Sequence, residues 1–118
     1  MPAKLSTHVL DTANGCPASG MQLELWSLNG ASRKLIKTVR TNADGRTDQP
    51  LLSGPEMAPG EYEIVFFAGD YFASKATTSG GVRFLDRVPV RFGLADASAS
   101  YHVPLLCSPW AYSTYRGS

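Results

Sequence analysis

Residues 101–118 read Tyr-His-Val-Pro-Leu-Leu-Cys-Ser-Pro-Trp-Ala-Tyr-Ser-Thr-Tyr-Arg-Gly-Ser, and this stretch is the most informative about the fold. The runs 101–106 and 113–116 are predicted to be the last two strands, joined by a turn at Ser108-Pro109. Such a hairpin gathers an imidazole, a guanidinium, a serine hydroxyl and the terminal carboxylate. Chain ends are usually frayed and free to vary, so this concentration of polar groups is informative.

The rest of the chain has the pattern of an all-β protein, in which short strand-like segments alternate with turn signals. Asn-Gly pairs and the turn at 42–45 divide these segments, and Pro89 indicates an edge strand or a bulge. One short helix is predicted at 69–77, with loops at 47–60 and 93–100. The earlier strands are predicted at 5–10, 21–26, 34–40, 61–67, 82–85 and 88–92.

These elements predict a two-sheet β-sandwich with one short helix, and a single domain over residues 1–118. In 21–26 apolar residues alternate with polar ones, as in a half-buried strand, and in 61–67 Tyr62, Ile64 and Phe66 share one face. Periodicity alone fits an immunoglobulin-like sandwich equally well.

Composition and charge exclude several classes of function. The formal net charge is +1 and no basic run occurs, which argues against a nucleic-acid binder. No stretch is apolar enough to span a bilayer, and no apolar signal core follows Lys4, so we expect a cytoplasmic protein. In that compartment Cys16 and Cys107 are expected to be free thiols with structural roles.

Strand parity gives an argument about the two histidines of the chain. Ser6 and His8 share one face of the first strand, while His102 lies on the face opposite Val103 in a later strand. If the core takes the alternating apolar residues, both histidines project from the same outer face. Neighbouring strands lie about 5 Å apart, so the two rings can meet. Either histidine alone is more simply a half-exposed surface residue.

Other polar residues have two interpretations. Arg46 is either an exposed arginine at the start of a strand or a bidentate donor to a urea-like or imide carbonyl. Arg116 can do the same, or pair with a carboxylate to hold the tail. Tyr115 can simply pack, whereas Ser118 can donate through its hydroxyl. Two histidines and two separated cysteines do not form a zinc-ligand pattern.

Three motifs, in order along the chain, carry a resemblance to a known family. They are Leu-Ser-Thr-His-Val-Leu-Asp-Thr at 5–12, Arg-Thr-Asn-Ala-Asp-Gly-Arg-Thr-Asp at 40–48, and His-Val-Pro-Leu-Leu at 102–106 followed by Tyr-Ser-Thr-Tyr-Arg-Gly-Ser at 112–118. In these the chain resembles the transthyretin-like 5-hydroxyisourate hydrolases. It departs at Trp110-Ala111, where the family more often has an aromatic residue followed by glycine.

The resemblance implies a transthyretin-like fold of two four-stranded sheets, with the first strand and the last two in one sheet. It also implies a homotetramer with sites at subunit interfaces. The implied reaction, in urate degradation, opens the ring amide C–N bond of 5-hydroxyisourate to give 2-oxo-4-hydroxy-4-carboxy-5-ureidoimidazoline. No metal or organic cofactor is implied.

The resemblance also implies roles for particular residues. The implied catalytic residues are His8, Arg46, His102 and Ser118, and substrate binding is expected at Arg46, Tyr115, Arg116 and Ser118. Imidazole suits the proton transfers because its ordinary pKa is near neutrality. Which histidine is the base stays open.

Two other classes of function are compatible with such a sandwich. A non-catalytic carrier of the transthyretin type would use the same channel for a small ligand. A β-sandwich interaction module would show no ring hydrolysis and no dependence on the tail. The joint presence of His8, Arg46, His102 and the terminal tetrapeptide favours the enzyme.

Overall fold

The computed structural model describes residues 2–77 and 80–117. In these residues the chain forms eleven strands, one α-helix and one turn of 3₁₀ helix. The helix α1 is Ala68–Ser74 and the 3₁₀ turn is Gly54–Glu56. The strands are β1 Lys4–Ser6, β2 Val9–Asp11, β3 Cys16–Pro17, β4 Gln22–Asn29, β5 Ser32–Arg40, β6 Leu52–Ser53, β7 Gly60–Phe67, β8 Arg87–Leu94, β9 Tyr101–His102, β10 Leu105–Cys107 and β11 Tyr112–Thr114.

One layer of the sandwich is an antiparallel sheet in the order β5-β4-β7-β8. The first part of β4 alternates as the sequence predicts, whereas residues 62–66 of β7 are all buried. Leu23 and Leu25 of β4 and Ile64 and Phe66 of β7 are fully buried and face the other layer. β8 lies at the edge of this sheet, which confirms the prediction from Pro89, since proline cannot donate to a further strand.

The other layer contains β6-β1-β9 and β3-β2-β10-β11. β1 runs parallel to β9 and β2 runs parallel to β10, so the beginning and the end of the chain lie side by side. The predicted order is confirmed, because β2 borders β10 and β10 borders β11. The structure is thus the two-layered transthyretin-like sandwich that the resemblance implies, except that this layer is divided into a three-stranded and a four-stranded sheet instead of forming one four-stranded sheet.

The predicted strands at 5–10 and 101–106 are each interrupted, at His8 and at Pro104. Pro104 has no N–H and cannot continue the ladder of hydrogen bonds. The hydroxyl of Thr7 donates instead to the Val103 carbonyl at 2.7 Å, and the Leu105 N–H donates to the His8 carbonyl at 2.9 Å. The two strands therefore stay side by side across the break.

The buried apolar residues of both layers form one core. α1 covers an end of it with Tyr71 and Phe72, whose rings meet edge to face at 5.0 Å. The Tyr71 hydroxyl donates to the buried carboxylate of Asp11 at 2.7 Å and so ties the helix to β2. The largest fully buried side chains are Phe66, Phe72, Leu5, Met21, Leu23, Leu25, Leu51, Ile64, Leu94, Leu105, Val9 and Val88.

Several sequence predictions are wrong in detail. No strand forms at 82–85, where Val82 and Phe84 are exposed. That segment lies beside α1 instead. Arg83 pairs there with Asp70 of the helix at 2.6 Å and with Asp86 at 2.9 Å. The loop predicted at 47–60 contains β6 and the 3₁₀ turn.

The helix is shorter than predicted, since it ends at Ser74. Ala76, with φ of 53°, has left the helical conformation. α1 has seven residues, and no described helix is long and apolar enough to cross a membrane. The cysteines are free thiols as predicted, with Cys16 exposed and Cys107 buried.

Candidate active site

His8 lies in the gap between β1 and β2, and its ring is held by a backbone carbonyl. Nε2 of His8 is 2.9 Å from the carbonyl oxygen of Asp44. A carbonyl only accepts hydrogen bonds, so Nε2 carries the proton and donates it. In the neutral ring the lone pair then lies on Nδ1, which is the atom able to accept a proton.

The turn that holds His8 also carries Arg46. The side-chain oxygen of Asn42 accepts the N–H of Asp44 at 2.9 Å and the N–H of Arg46 at 3.1 Å. The turn is fixed to β2, because the Val9 N–H donates to the Gly45 carbonyl at 2.7 Å. Gly45 has φ of 77°, and a Cβ there would collide with the Val9 carbonyl, so glycine is required.

His102 ends β9, and its ring contacts the neighbouring strand. Nδ1 of His102 is 2.9 Å from Oγ of Ser6, its partner in the register of the parallel pair. Burial lowers the pKa of His102, and the positive charges of Arg46 and His8 lower it further. A neutral imidazole is therefore favoured, which suits a base at neutral pH.

The C-terminal tail packs against His102. The Gly117 N–H donates to the His102 carbonyl at 2.7 Å. A Cβ on Gly117 would lie 2.5 Å from Cδ2 of the imidazole and 3.2 Å from Cγ. The tail can approach this ring so closely only because residue 117 has no side chain.

Arg116 faces a different partner. Its Cζ lies 4.2 Å from the centroid of the Tyr101 ring, a cation–π contact. Hydrogen bonds from Ser98 lower the pKa of Asp96, and the nearby charge of Arg116 lowers it further. Tyr101 and His102 are consecutive in β9 and point to opposite faces of the sheet. Arg116 thus anchors the tail on the side away from His102.

Tyr115 is 60% exposed and lines a cavity of about 330 Å³ between the edges of the two sheets. The cavity walls include Val90, Phe92 and Tyr101. Because Tyr101 is on its wall, this cavity opens on the opposite side of β9 from His102.

The structure thus brings together His8, Arg46 and His102 on an outer sheet face, where both rings are half-buried and Arg46 is exposed. Tyr115 and Arg116 lie apart from them. Ser118, expected to be catalytic and substrate-binding, is outside the described residues.

Sequence reasoning missed the roles of Ser6, Asn42 and Gly117. Strand parity predicts that Ser6 shares a face with His8, but pairing Ser6 with His102 requires the register of β1 and β9. Asn42 and Gly117 stand within recognisable motifs, but only the contacts of the folded chain show their roles. Asn42 organises the turn that carries Arg46, and Gly117 packs against the His102 ring.

The arrangement offers two imidazoles for proton transfer and one guanidinium for a carbonyl oxygen or an oxyanion. Within residues 2–77 and 80–117, no group of three or more His, Cys, Asp or Glu side chains is arranged to hold a metal ion.

Comparison with known proteins supports this interpretation. Residues 5–117 match the HIUase/Transthyretin family. The chain is 57% identical over 115 residues to 5-hydroxyisourate hydrolase 2 of Rhizobium meliloti, covering 98% of this chain and 96% of that protein.

Two solved structures are similar in fold and sequence. The 5-hydroxyisourate hydrolase of Klebsiella pneumoniae superposes with a TM-score of 0.79 at 31% identity, covering 98% of this chain and 94% of that one. An (S)-allantoin synthase superposes with a TM-score of 0.93 at 49% identity and covers 99% of this chain, which spans 44% of the synthase. The chain belongs to the HIUase/Transthyretin family.

Proposed function

We propose that this protein is a hydrolase that opens the ring amide C–N bond of 5-hydroxyisourate, giving 2-oxo-4-hydroxy-4-carboxy-5-ureidoimidazoline in urate degradation. The observation that carries the proposal is the juxtaposition of His8, Arg46 and His102 on one sheet face. Relatives at 57% identity over nearly the whole chain bear the name of this activity.

The reaction needs a water to lose a proton as it attacks the carbonyl carbon, and the ring nitrogen to gain a proton as the C–N bond breaks. The two imidazoles carry these transfers. His8 offers Nδ1, because Nε2 is committed to the Asp44 carbonyl. His102 is kept neutral by burial and by the charges beside it, so it can also accept a proton.

Arg46 binds the carbonyl oxygen of the substrate and stabilises the negative charge that develops on it. Its planar fork fits a urea-like or imide group better than a point charge does. The turn built by Asn42 keeps the Arg46 backbone fixed relative to His8. The point from which the Arg46 side chain extends toward substrate is therefore fixed relative to His8.

The tail has two parts in this proposal. Arg116 holds the tail through its contact with Tyr101, and Gly117 packs against the Cδ2 side of the His102 ring. Ser118 follows Gly117 in the chain and is proposed to contact the substrate. Tyr115 is proposed to position the tail or to line the approach to the site.

We further propose a homotetramer with sites at subunit interfaces. His8, Arg46 and His102 lie on an open face, and preorganised donors act best where water is excluded. β8 and β11 are edge strands in the described part of the chain, and Trp110 beside β11 is 64% exposed. Sedimentation at micromolar concentration tests this assembly, since an active monomer would contradict it.

A single domain over residues 1–118 and a cytoplasmic location complete the proposal. One core cluster contains buried residues from β1 to β10. Two free thiols agree with a reducing compartment. Cell fractionation with a tagged chain tests the location.

The decisive experiment adds purified protein to freshly made 5-hydroxyisourate and follows the ultraviolet decay against the spontaneous rate. We expect the native chain to accelerate the decay. The catalysed rate should be about 10²- to 10⁴-fold lower in His8→Gln and in His102→Gln. Unchanged decay with the native chain would overturn the proposal. Decay at the spontaneous rate together with tight binding of a small ligand would indicate a carrier.

A further inference from the structure

The two histidines are held by partners of different chemistry. The Asp44 carbonyl at Nε2 of His8 can only accept a hydrogen bond, so it fixes one tautomer. The Ser6 hydroxyl at Nδ1 of His102 can either accept or donate, because its hydrogen rotates. Every protonation state of the His102 ring can therefore keep this hydrogen bond.

We propose that Ser6 is a positioning residue that holds the His102 ring by Nδ1 and lets Nε2 both accept and release a proton during hydrolysis. This inference rests on the proposed function, since it assigns His102 a proton transfer in that reaction. Ser6 itself touches His102 and acts through it.

The backbone around this contact fixes the geometry. Ser6 and His102 are register partners in the parallel pair, and the Val103 N–H donates to the Ser6 carbonyl at 2.9 Å. Gly117 packs against the Cδ2 side of the ring. A turn of the imidazole by 180° would put a carbon opposite Ser6 and lose the bond. Ser6 and Gly117 together hold the ring in one orientation.

With Nδ1 bonded to the Ser6 hydroxyl, Nε2 of His102 is the atom that takes up and releases the proton. In the resting ring, Nδ1–H donates to Ser6 and the lone pair of Nε2 takes a proton from the attacking water. The resulting imidazolium keeps the Nδ1–H bond to Ser6. Nε2 then gives its proton to the leaving ring nitrogen, and the neutral ring is restored. The water oxygen has become bonded to carbon, and the C–N bond has broken.

The neighbouring positive charge of Arg46 opposes the imidazolium in this cycle. The hydroxyl of Ser6 offsets this charge, because hydrogen bonds to a charged group are stronger than those to a neutral one. Without the hydroxyl, the imidazolium of His102 would lose its partner at Nδ1 and form less readily.

The test compares Ser6→Ala with Ser6→Thr, which keeps a hydroxyl and suits a strand. The first readout is ¹⁵N NMR of the imidazoles across pH, which is simple because the chain has two histidines and His8→Gln assigns them. We expect Ser6→Ala to change the Nδ1 signal of His102 and to lower its pKa by about one unit. Ser6→Thr should restore both.

The second readout is turnover of 5-hydroxyisourate. We expect Ser6→Ala to lower kcat by about 10- to 100-fold with little change in KM, and Ser6→Thr to recover most of it. Ser27→Ala, at a half-buried serine in β4, is the matched control and should leave kcat unchanged. Equal kcat in the native chain and Ser6→Ala would overturn the proposal, as would equal losses in Ser6→Ala and Ser6→Thr.

The two proposals fail separately. If the native chain does not accelerate decay of 5-hydroxyisourate, the proposed function falls, and with it the proton-transfer role of His102. If the native chain is active but the NMR signals of His102 are the same with and without the Ser6 hydroxyl, only the role of Ser6 falls. Thermal midpoints of the variants show whether each remains folded.

Discussion

Gly117 lies against the imidazole of His102 so closely that a single added carbon would overlap the ring. Its N–H donates to the His102 carbonyl at 2.7 Å, and a Cβ would stand 2.5 Å from Cδ2. The backbone of the tail and the ring are thus one packed unit. Any change in one must displace the other.

The first prediction is that Gly117→Ala lowers kcat/KM for 5-hydroxyisourate by about 10²-fold. The added methyl pushes the ring or the tail away, and a displacement of about 1 Å can cost this much. The matched control is Gly80→Ala, because a Cβ on Gly80 would meet no atom within 4 Å. Equal activity in both variants would mean that the packing of Gly117 on His102 has no catalytic importance.

The second prediction concerns Arg46 and the pH dependence of activity. Burial and the charge of Arg46 lower the pKa of His102 from its ordinary value of about 6.5. The ring therefore stays neutral at a pH somewhat below that value. Arg46→Gln removes the charge, so the pKa of His102 rises and the acid limb of kcat/KM moves to higher pH. Arg46→Lys keeps the charge and should leave the acid limb in place.

Both variants of Arg46 should also lose efficiency, by about tenfold or more, because neither has the planar fork that donates twice to one group. Profiles of kcat/KM against pH for the native chain and the two variants distinguish the contribution of the Arg46 charge from that of its planar guanidinium geometry. If Arg46→Lys kept native efficiency, charge alone would explain the role of Arg46.

A third prediction follows from the turn that Asn42 organises. Asn42→Ala removes the acceptor for two N–H groups, so the Asp44 carbonyl and the Arg46 backbone lose their fixed positions. We expect about 1–2 kcal/mol less stability and a fall in kcat. Asp48→Ala is the control, since it removes only the 3.1 Å contact with the Asn42 amide nitrogen. Loss of stability with native kcat would confine Asn42 to a structural role.

The fourth prediction concerns the buried carboxylate of Asp11. Burial alone would raise its pKa, but hydrogen bonds from Asn14, Tyr71 and Ala13 hold the pKa below its ordinary value. The ionised form therefore stabilises the fold at pH above about 3.8, and this contribution is lost as pH falls through the folded-state pKa.

Asp11→Asn should accordingly lower the free energy of unfolding by about 1–3 kcal/mol at pH 7. The asparagine NH₂ group would replace one carboxylate oxygen, and it cannot accept the hydrogen bonds donated to that oxygen. The difference from the native chain should narrow in acid. Urea denaturation at several pH values measures this, with Glu61→Gln as an exposed control. A difference that does not change with pH would contradict the ionic origin of the effect.

Period-two alternation was enough to predict the core residues of β4 and β7, and the shared outer face of His8 and His102. It could not reveal the bond between Ser6 and His102, because that bond depends on which residue of β1 stands beside which residue of β9. The predicted strand at 82–85 failed for a related reason. Its apolar residues have the right propensity, but ion pairs of Arg83 hold the segment beside the helix, away from any strand.

Ser6 and His102 are 96 residues apart in sequence and bond side chain to side chain. During synthesis β1 therefore leaves the ribosome long before its parallel neighbour β9 exists. Closing so long a loop precedes any gain from pairing, and contacts of this kind slow folding. β1 can pair with β6 and β2 with β3 earlier, but the edges that β1 and β2 present to β9 and β10 stay open until the last residues are made. The newly made chain acquires its two-histidine site only at the end of translation, and premature termination yields a product without it.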